Sequence, residues 1–150
     1  HFYEESIKAA KRLNRRAVLL IGKNVPPANL SDSIISVNYA PYSQLFSRAC
    51  AIVHQGGIGT TAQALRASRP TLVMPYSIDQ PDNAARVERL GTSRTIPRKQ
   101  YVAERVARQL GELLENPSYA VKATEIGAII RAEDGVNVAC GAIEKQLKAT

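Results

Sequence analysis

Short apolar runs alternate with segments of helical periodicity along most of the chain. In the helical segments, apolar residues recur every three or four positions, as they do on one face of an α-helix. The apolar runs are too short for helices and are bounded by glycine, proline or polar residues, which is typical of buried strands. The predicted strands span 17–22, 34–39, 50–54, 71–75 and 93–97. The predicted helices span 2–14, 41–49, 58–68, 80–91, 100–115, 118–132 and 135–148.

This alternation predicts an α/β fold built on a Rossmann-like, doubly wound parallel sheet of about five strands with helices on both faces. Parallel strands need crossover connections, which the intervening helices supply. The last three segments predict additional C-terminal helices. We expect residues 1–150 to form a single domain. Because the chain begins in a helix, whereas such a sheet usually begins with a strand, we expect this domain to be a fragment of a longer protein.

The net charge of +7 allows nucleic acid, an anionic membrane surface or an anionic small ligand as a partner. The basic residues are spread along the chain and no nucleic-acid-binding motif is present, so we do not expect nucleic acid. A peripheral membrane contact through the basic surface stays open. Residues 1–16 lack the apolar segment of a signal peptide, and no run is long enough to span a membrane, so we expect a cytoplasmic protein. The oligomeric state is not indicated.

Side chains that could bind a metal are few. The histidines are His1 and His54, which excludes a histidine-rich metal site. Cys50 and Cys140 stand far apart beside small or apolar residues, without the spacing of a zinc site. We therefore expect both cysteines to be reduced thiols in the core, and we expect no metal.

The sequence IVHQGGIGTTAQAL, residues 52–65, places a glycine-rich turn between a predicted strand and a predicted helix. Glycine lets backbone N–H groups approach a ligand, and a helix N-terminus adds free N–H groups and partial positive charge. The pattern therefore predicts an anion site, most naturally for phosphate, to which Thr60, Thr61 and His54 would add donors. The alternative is a turn that is rich in glycine only because it is tight.

Two phosphate-binding patterns can be compared with this turn. A P-loop is absent, because no Gly-Lys-Ser/Thr follows the glycines. Residues 57–62 do match the dinucleotide fingerprint, and Asp79 follows Gly59 by 20 residues, near where a ribose-binding acid occurs. However, Asp79 lies beyond the end of the next strand, and two strands precede the turn. An NAD(P)-binding domain is therefore the weaker interpretation.

A second polar group, in PYSIDQPDNAA at 75–85, follows the next predicted strand. Asp79 and Gln80 stand side by side at the start of a helix. A carboxylate and an amide together can bind several sugar hydroxyls. Asp79 could instead be the N-cap of that helix, and the sequence leaves both interpretations open.

From Tyr39 to Gly91 the chain resembles the signature region of the GT-B glycosyltransferases that use nucleotide-diphosphate sugars. The resemblance is to the UDP-glycosyltransferase-like group, in its bacterial form. It rests on the order of four elements, which are Tyr39-Ala40-Pro41, the stretch 54–60, the strand between Pro70 and Pro75, and Asp79-Gln80. The resemblance implies that the chain is the donor-binding half of a GT-B fold.

The resemblance also implies a role for each site residue. Those near the nucleobase and ribose are Tyr39, Ala40 and Tyr42; those near the diphosphate are His54, Gly56, Gly57, Gly59, Thr60 and Thr61; those near the donor sugar are Asp79 and Gln80. Three positions depart from the family pattern. Tyr39 replaces the tryptophan of plant members, and Ala62 replaces their ribose-binding glutamate, with Gln63 expected to point elsewhere. Ser68 replaces a glycine, so we expect a positive φ there.

The activity implied by the resemblance is inverting transfer of a sugar from a UDP- or dTDP-sugar to a small-molecule or lipid acceptor, without metal or other cofactor. The catalytic base and the acceptor are expected in an N-terminal domain absent from this chain, as is the first strand of the sheet. No catalytic residue is therefore expected here, and we expect the chain alone to be inactive. The alternatives are an epimerase-like or regulatory nucleotide-sugar-binding module and an NAD(P)-binding Rossmann domain. The acceptor, the sugar and the choice between UDP and dTDP are not indicated.

Overall fold

The computed structural model describes residues 1–28 and 30–148. Strands and helices alternate through most of this part of the chain, as the hydrophobic pattern predicts. The strands are β1 (Ala17–Leu20), β2 (Ile34–Val37), β3 (Ile52–His54), β4 (Thr71–Val73) and β5 (Ser93–Thr95). The helices are α1 (Phe2–Arg12), α2 (Tyr42–Leu45), α3 (Ile58–Arg66), α4 (Gln80–Arg89), α5 (Ala103–Glu115), α6 (Pro117–Ala132) and α7 (Gly135–Lys148).

The strands pair in parallel, which confirms the predicted α/β architecture. Within the described residues they form two hydrogen-bonded groups, β1 with β2 and the ordered set β3, β4, β5, rather than the one sheet of about five strands that the pattern predicts. In the larger group, His54 is in register with Val73, and Val73 with Thr95. The carboxyl ends of β3, β4 and β5 therefore lie in one row, and the segments that leave them share one edge of the sheet.

Helices cover the larger group of strands on both faces. Every residue of β4 is buried, and successive side chains along a strand point to opposite faces. Leu72 packs in a cluster with Ala9 of α1 and Val106 of α5. Val73 packs in a separate cluster with residues of α3 and α4. This two-sided burial explains why the strand reads as a continuous apolar run rather than an alternating one.

The end of α3 has an unusual backbone that the sequence predicts. Ser68 has a φ of 57°, which confirms the expectation of a positive value at the position where the family has glycine. The guanidinium of Arg131 in α6 donates to the Ser68 hydroxyl at 2.6 Å. A Cβ on Gly127 of α6 would lie 2.1 Å from the Ser68 Oγ, so only glycine fits opposite this turn. The serine and the glycine together let α6 pack closely against α3.

Two features lie outside the packed core. Cys50 and Cys140 are both free but exposed, so the prediction that they are core thiols is wrong. Cys140 is exposed because α7 packs none of its side chains into the core, and Val136, Val138 and Leu147 are each more than seven-tenths exposed.

In the part of the chain that the structure describes, no helix combines the length and apolar character needed to cross a membrane.

Candidate donor-binding site

The structure brings the glycine turn and the Asp79-Gln80 pair together at the carboxyl edge of the sheet. Gly56 has a φ of 89°, a value that residues with a side chain rarely adopt. A Cβ at this position would lie 2.9 Å from the Val73 Cγ1 and 3.1 Å from the backbone oxygen of Gln80. The turn after β3 therefore fits against the segment after β4 because residue 56 has no side chain.

His54 lies beneath this turn at the end of β3 and is only 5% exposed. Its Nδ1 accepts a hydrogen bond from the backbone N–H of Gly56 at 3.0 Å, so the ring proton is on Nε2. Burial lowers the pKa of His54 from 6.5 to about 4, so the ring is neutral near pH 7. His54 thus offers a neutral N–H donor rather than a positive charge.

The Nε2 of His54 is the unsatisfied part of the ring. It is buried and has no hydrogen-bond partner within the described residues. An unpaired buried donor costs about 1–3 kcal/mol, and such groups are rare in folded proteins. A ligand atom that accepts this N–H would remove that cost.

The buried ring makes stability dependent on pH. Because folding lowers the pKa of His54, the folded state is favoured at a pH above 6.5, where the ring is neutral in both the folded and the unfolded chain. This contribution to stability is lost as the pH falls towards about 4, the pKa of the folded state. Between pH 7 and pH 5 we expect the free energy of unfolding to fall by about 2 kcal/mol because of His54. Urea denaturation of the chain and of a His54→Asn variant at both pH values measures this loss, since asparagine retains an acceptor for Gly56 but does not titrate. An equal loss in the two proteins would show that His54 is not the cause.

The N-terminus of α3 faces solvent beside the turn. Gly57 is the N-cap, and Ile58 is 67% exposed. The first N–H groups of a helix have no intrahelical partner, and those of Ile58, Gly59 and Thr60 form no hydrogen bond within residues 1–28 and 30–148. These three N–H groups and the partial positive charge of the helix end are therefore available to an anion.

Two members of the predicted diphosphate set use a hydrogen-bond donor within the turn itself. Thr61 is buried, and its hydroxyl donates to the carbonyl oxygen of Gly57 at 3.0 Å. Its single hydroxyl proton is therefore used within the turn. The N–H of Gly56 is likewise used, since it donates to His54. Both residues shape the turn from inside rather than presenting a donor to solvent.

Asp79 and Gln80 are held by side-chain and loop contacts. The carboxylate of Asp79 accepts from the Nδ2 of Asn83 at 2.7 Å, and Gln80 Oε1 accepts from the backbone N–H of Tyr76 at 2.8 Å. Asp79 occupies the N-cap position of α4, but no backbone N–H in the described residues donates to its carboxylate, so the side chain does not make the capping hydrogen bond. The other carboxylate oxygen of Asp79 and the amide nitrogen of Gln80 have no hydrogen-bond partner within the described residues.

Asn83 also reaches the glycine turn, a contact that the sequence does not reveal. Its Nδ2 donates to the carbonyl oxygen of Gly56 at 2.9 Å as well as to Asp79. Both partners are acceptors, which identifies the amide atom between them as nitrogen. A spacing of four residues places Asp79 and Asn83 on one helix face, which the sequence could have indicated.

A groove of about 400 Å³ lies between residues 39–43 and Gln63 of α3. The ring of Tyr39 is 79% exposed there, while that of Tyr42 stacks on Phe46 with a centroid distance of 4.4 Å. Gln63 lines the same groove, so the expectation that it points elsewhere is wrong. Gln63 lies one helical turn after Gly59, and that spacing could have indicated the shared face. The lining residues are Tyr39, Ala40, Pro41, Tyr42, Ser43 and Gln63.

The described residues contain no group of three or more His, Cys, Asp or Glu side chains placed to hold a metal ion. The donors at the sheet edge are instead backbone N–H groups, hydroxyls and amides. They suit a ligand that carries phosphate oxygens and hydroxyl groups.

The chain is similar in sequence and in fold to known glycosyltransferases. O-mycaminosyltylonolide 6-deoxyallosyltransferase from Streptomyces fradiae is 39% identical over 149 residues, which are 97% of this chain and 35% of that protein. The glycosyltransferase of kitacinnamycin is 29% identical with a TM-score of 0.87, over 97% of this chain and 38% of its own. The glycosyltransferase VinC, solved in complex with dTDP, is 26% identical with a TM-score of 0.77, over 82% of this chain and 31% of its own.

The chain thus spans between a third and two fifths of the length of two of these relatives, and it aligns with them almost from end to end. Its fold matches the C-terminal half of GT-B glycosyltransferases, as the resemblance implies. The family model for the C-terminal domain of erythromycin biosynthesis protein CIII-like proteins matches residues 6–141, which include the whole of the site described above. On these grounds the chain belongs to the erythromycin biosynthesis protein CIII-like C-terminal domain family of glycosyltransferases.

Proposed function

We propose that this chain is the donor-binding domain of an inverting glycosyltransferase that uses a UDP- or dTDP-sugar. One observation carries the proposal: the turn after β3, the free N-terminus of α3 and the Asp79-Gln80 pair meet at one edge of the sheet. Ligands of doubly wound sheets bind at this edge. The dTDP named in the VinC complex is a nucleoside diphosphate of the class that such an edge would bind.

The diphosphate lies at the N-terminus of α3 in this proposal. The N–H groups of Ile58, Gly59 and Thr60 and the hydroxyl of Thr60 donate to its oxygens. The Nε2–H of His54 supplies a further donor, which gives that buried atom the partner it lacks in the structure. These groups stabilise the negative charge that develops on the leaving diphosphate during transfer. Gly56 and Gly57 allow the close approach, and Thr61 supports the turn from within.

The nucleobase and ribose occupy the groove beside α3. The exposed ring of Tyr39 offers a face on which a base can stack, and Ala40 and Tyr42 complete that wall. Gln63 supplies the polar contact to the ribose that Ala62 cannot make. The amide is neutral, whereas the glutamate of plant members is charged, so we expect the ribose contact here to be weaker.

The donor sugar extends from the diphosphate towards α4. Asp79 and Gln80 bind its hydroxyl groups through the carboxylate oxygen and the amide nitrogen that the protein leaves free. A carboxylate accepts a hydrogen bond and an amide nitrogen donates one. The pair can therefore bind two neighbouring hydroxyls, of which one donates to Asp79 and the other accepts from Gln80. Which sugar fits depends on these two contacts and on parts of the protein beyond them.

The catalytic base and the acceptor site belong to an N-terminal domain that this chain does not contain, and the chain alone is inactive. The aligned relatives are each more than twice as long as the chain. The exposed apolar side chains of α7 and the separation of the strands into two groups are consistent with further protein structure against this domain. The name of the Streptomyces fradiae relative specifies O-mycaminosyltylonolide as its acceptor, which supports a small-molecule acceptor here. We propose that transfer takes place in the cytoplasm.

Amide chemical shifts of the ¹⁵N-labelled chain test this assignment when UDP, dTDP, GDP and NAD are added in turn. We expect UDP or dTDP to shift the signals of residues 56–60, because the N–H groups of Ile58, Gly59 and Thr60 bind the diphosphate and Gly56 and Gly57 form the turn directly before them. Signals of Tyr39 and Gln63 should shift with the whole nucleotide but not with inorganic pyrophosphate. The glycine residues of α7 provide internal controls that should not move.

The same titration separates the rival functions. An NAD(P)-binding domain would show shifts at residues 56–60 with NAD and none with UDP or dTDP. That result, or the absence of any shift at the turn with any nucleotide, would contradict the proposed function.

A further inference from the structure

Asn83 connects the two parts of the site that belong to different loops. The carbonyl oxygen of Gly56 and the carboxylate of Asp79 lie 2.9 Å and 2.7 Å from the same Nδ2 atom. The amide nitrogen has two protons, so each partner receives one and the group is fully used. Asn83 is partly buried, and so is its hydrogen bond to Gly56, whereas its hydrogen bond to Asp79 is exposed to solvent.

The backbone of Gly56 is therefore fixed at both ends of the residue. Its N–H donates to His54, and its carbonyl oxygen accepts from Asn83. A continuous chain of hydrogen bonds runs from the buried ring of His54 through Gly56 and Asn83 to Asp79. The first end of this chain lies at the proposed diphosphate, and the last lies at the proposed donor sugar.

We infer that Asn83 is a positioning residue that fixes the Asp79 carboxylate relative to the glycine turn. The inference rests on the proposed function, since it concerns the distance between a diphosphate and a sugar hydroxyl. The Asp79 side chain is exposed, and without Asn83 it would sample several rotamers. With Asn83 in place, one carboxylate oxygen is held and the other points to the ligand. Asn83 itself has no free N–H with which to touch the donor.

Binding by the full-length protein that contains this domain tests the inference. The ligands are dTDP and a dTDP-sugar, or the uridine pair if the protein prefers UDP. Asn83→Asp retains the size of the side chain but removes both N–H donors and places a carboxylate opposite Asp79. We expect affinity for the nucleotide sugar to fall about tenfold, as for the loss of hydrogen bonds to a charged group, while affinity for the nucleoside diphosphate falls much less.

Two further variants show whether Asn83 acts through Asp79. Asp82→Asn is the matched control, because it exchanges a carboxylate for an amide at the position next to Asn83. The Asp82 carboxylate pairs with Arg86 on an exposed face of the helix. This variant should leave both affinities unchanged. Asn83→Ala should weaken nucleotide-sugar binding in the unsubstituted protein but should have no sugar-specific effect in an Asp79→Ala background, because the carboxylate it positions is absent. Melting temperatures confirm that each variant is folded.

The outcomes separate the inference from the function on which it rests. If Asn83→Asp and Asn83→Ala weaken both ligands equally, or weaken neither, Asn83 does not position Asp79 and the inference is wrong. If the Asn83→Ala effect on the sugar persists without Asp79, Asn83 acts on the sugar directly and the inference is again wrong. If the unsubstituted protein binds neither ligand, the proposed function fails and the inference fails with it.

Discussion

Replacing Gly56 with alanine is expected to lower the free energy of unfolding by about 3 kcal/mol and to abolish nucleotide binding. The alanine would have to adopt a φ of 89°, a left-handed conformation that residues with a Cβ rarely adopt. Its Cβ would lie 2.9 Å from the Val73 Cγ1. Relief of this clash must move the turn away from Gln80 or push β4 into the core. Either shift displaces the N–H of Gly56 from His54 and the N-terminus of α3 from its place. Urea denaturation and calorimetric titration with dTDP measure the two effects.

Gly22 provides a matched control for this substitution. Its φ of 60° carries a similar backbone penalty, but a Cβ there would meet nothing within 4 Å. Gly22→Ala should therefore lose only about 1–2 kcal/mol and leave nucleotide binding intact. If Gly56→Ala is no worse than Gly22→Ala in both measurements, the tight contact between the turn and the segment after β4 is not what holds the site together.

The second large effect is expected at Asp79. In the full-length protein, Asp79→Ala should reduce the rate of sugar transfer by about 100-fold while the affinity for the nucleoside diphosphate changes by less than about threefold. In the proposed arrangement the Asp79 carboxylate contacts the sugar and not the diphosphate. Its loss should therefore weaken interactions with the nucleotide sugar but not with the nucleoside diphosphate alone. Single-turnover transfer rates and dTDP dissociation constants provide the two values.

Asp82→Ala is the control for position on α4, because it removes a carboxylate from the same helical turn. It should change neither the rate nor the affinity by more than about twofold, as expected for an exposed ion pair. A result in which Asp79→Ala lowers the transfer rate and the nucleotide affinity by the same factor would mean that Asp79 only supports the start of the helix.

The elements of this fold could be predicted from the sequence because burial imposes a simple pattern on short parallel strands. β4 is covered on both faces, so Leu72 and Val73 are both apolar and the strand is visible as a run. The left-handed φ of Ser68 was predicted on a different ground, because the family that the chain resembles has glycine at this position. In β4 the local sequence and the tertiary environment impose the same requirement, whereas the serine by itself gives no such signal.

The details of the site were harder to predict, because they depend on contacts between segments. The bond from Asn83 to Gly56 joins residues 27 positions apart, and nothing local to Asn83 distinguishes it from a solvent-facing asparagine. The burial of His54 likewise results from the way the turn folds over the strand end. Cys140 has apolar neighbours in the sequence but lies on a helix that leaves the core, so its local pattern was misleading.

The central claim is that the buried N–H of His54 and the turn above it bind the diphosphate of a nucleotide. Ring ¹H–¹⁵N spectra of His54, recorded with thymidine and then with dTDP, test this most directly. The two ligands share the base and the sugar, so they differ only in the diphosphate. We predict that Nδ1 keeps its bond to Gly56 in both samples, and that the Nε2–H signal moves downfield with dTDP alone because it gains a phosphate oxygen as acceptor. An Nε2–H signal that stays unchanged when dTDP saturates the protein would contradict the account.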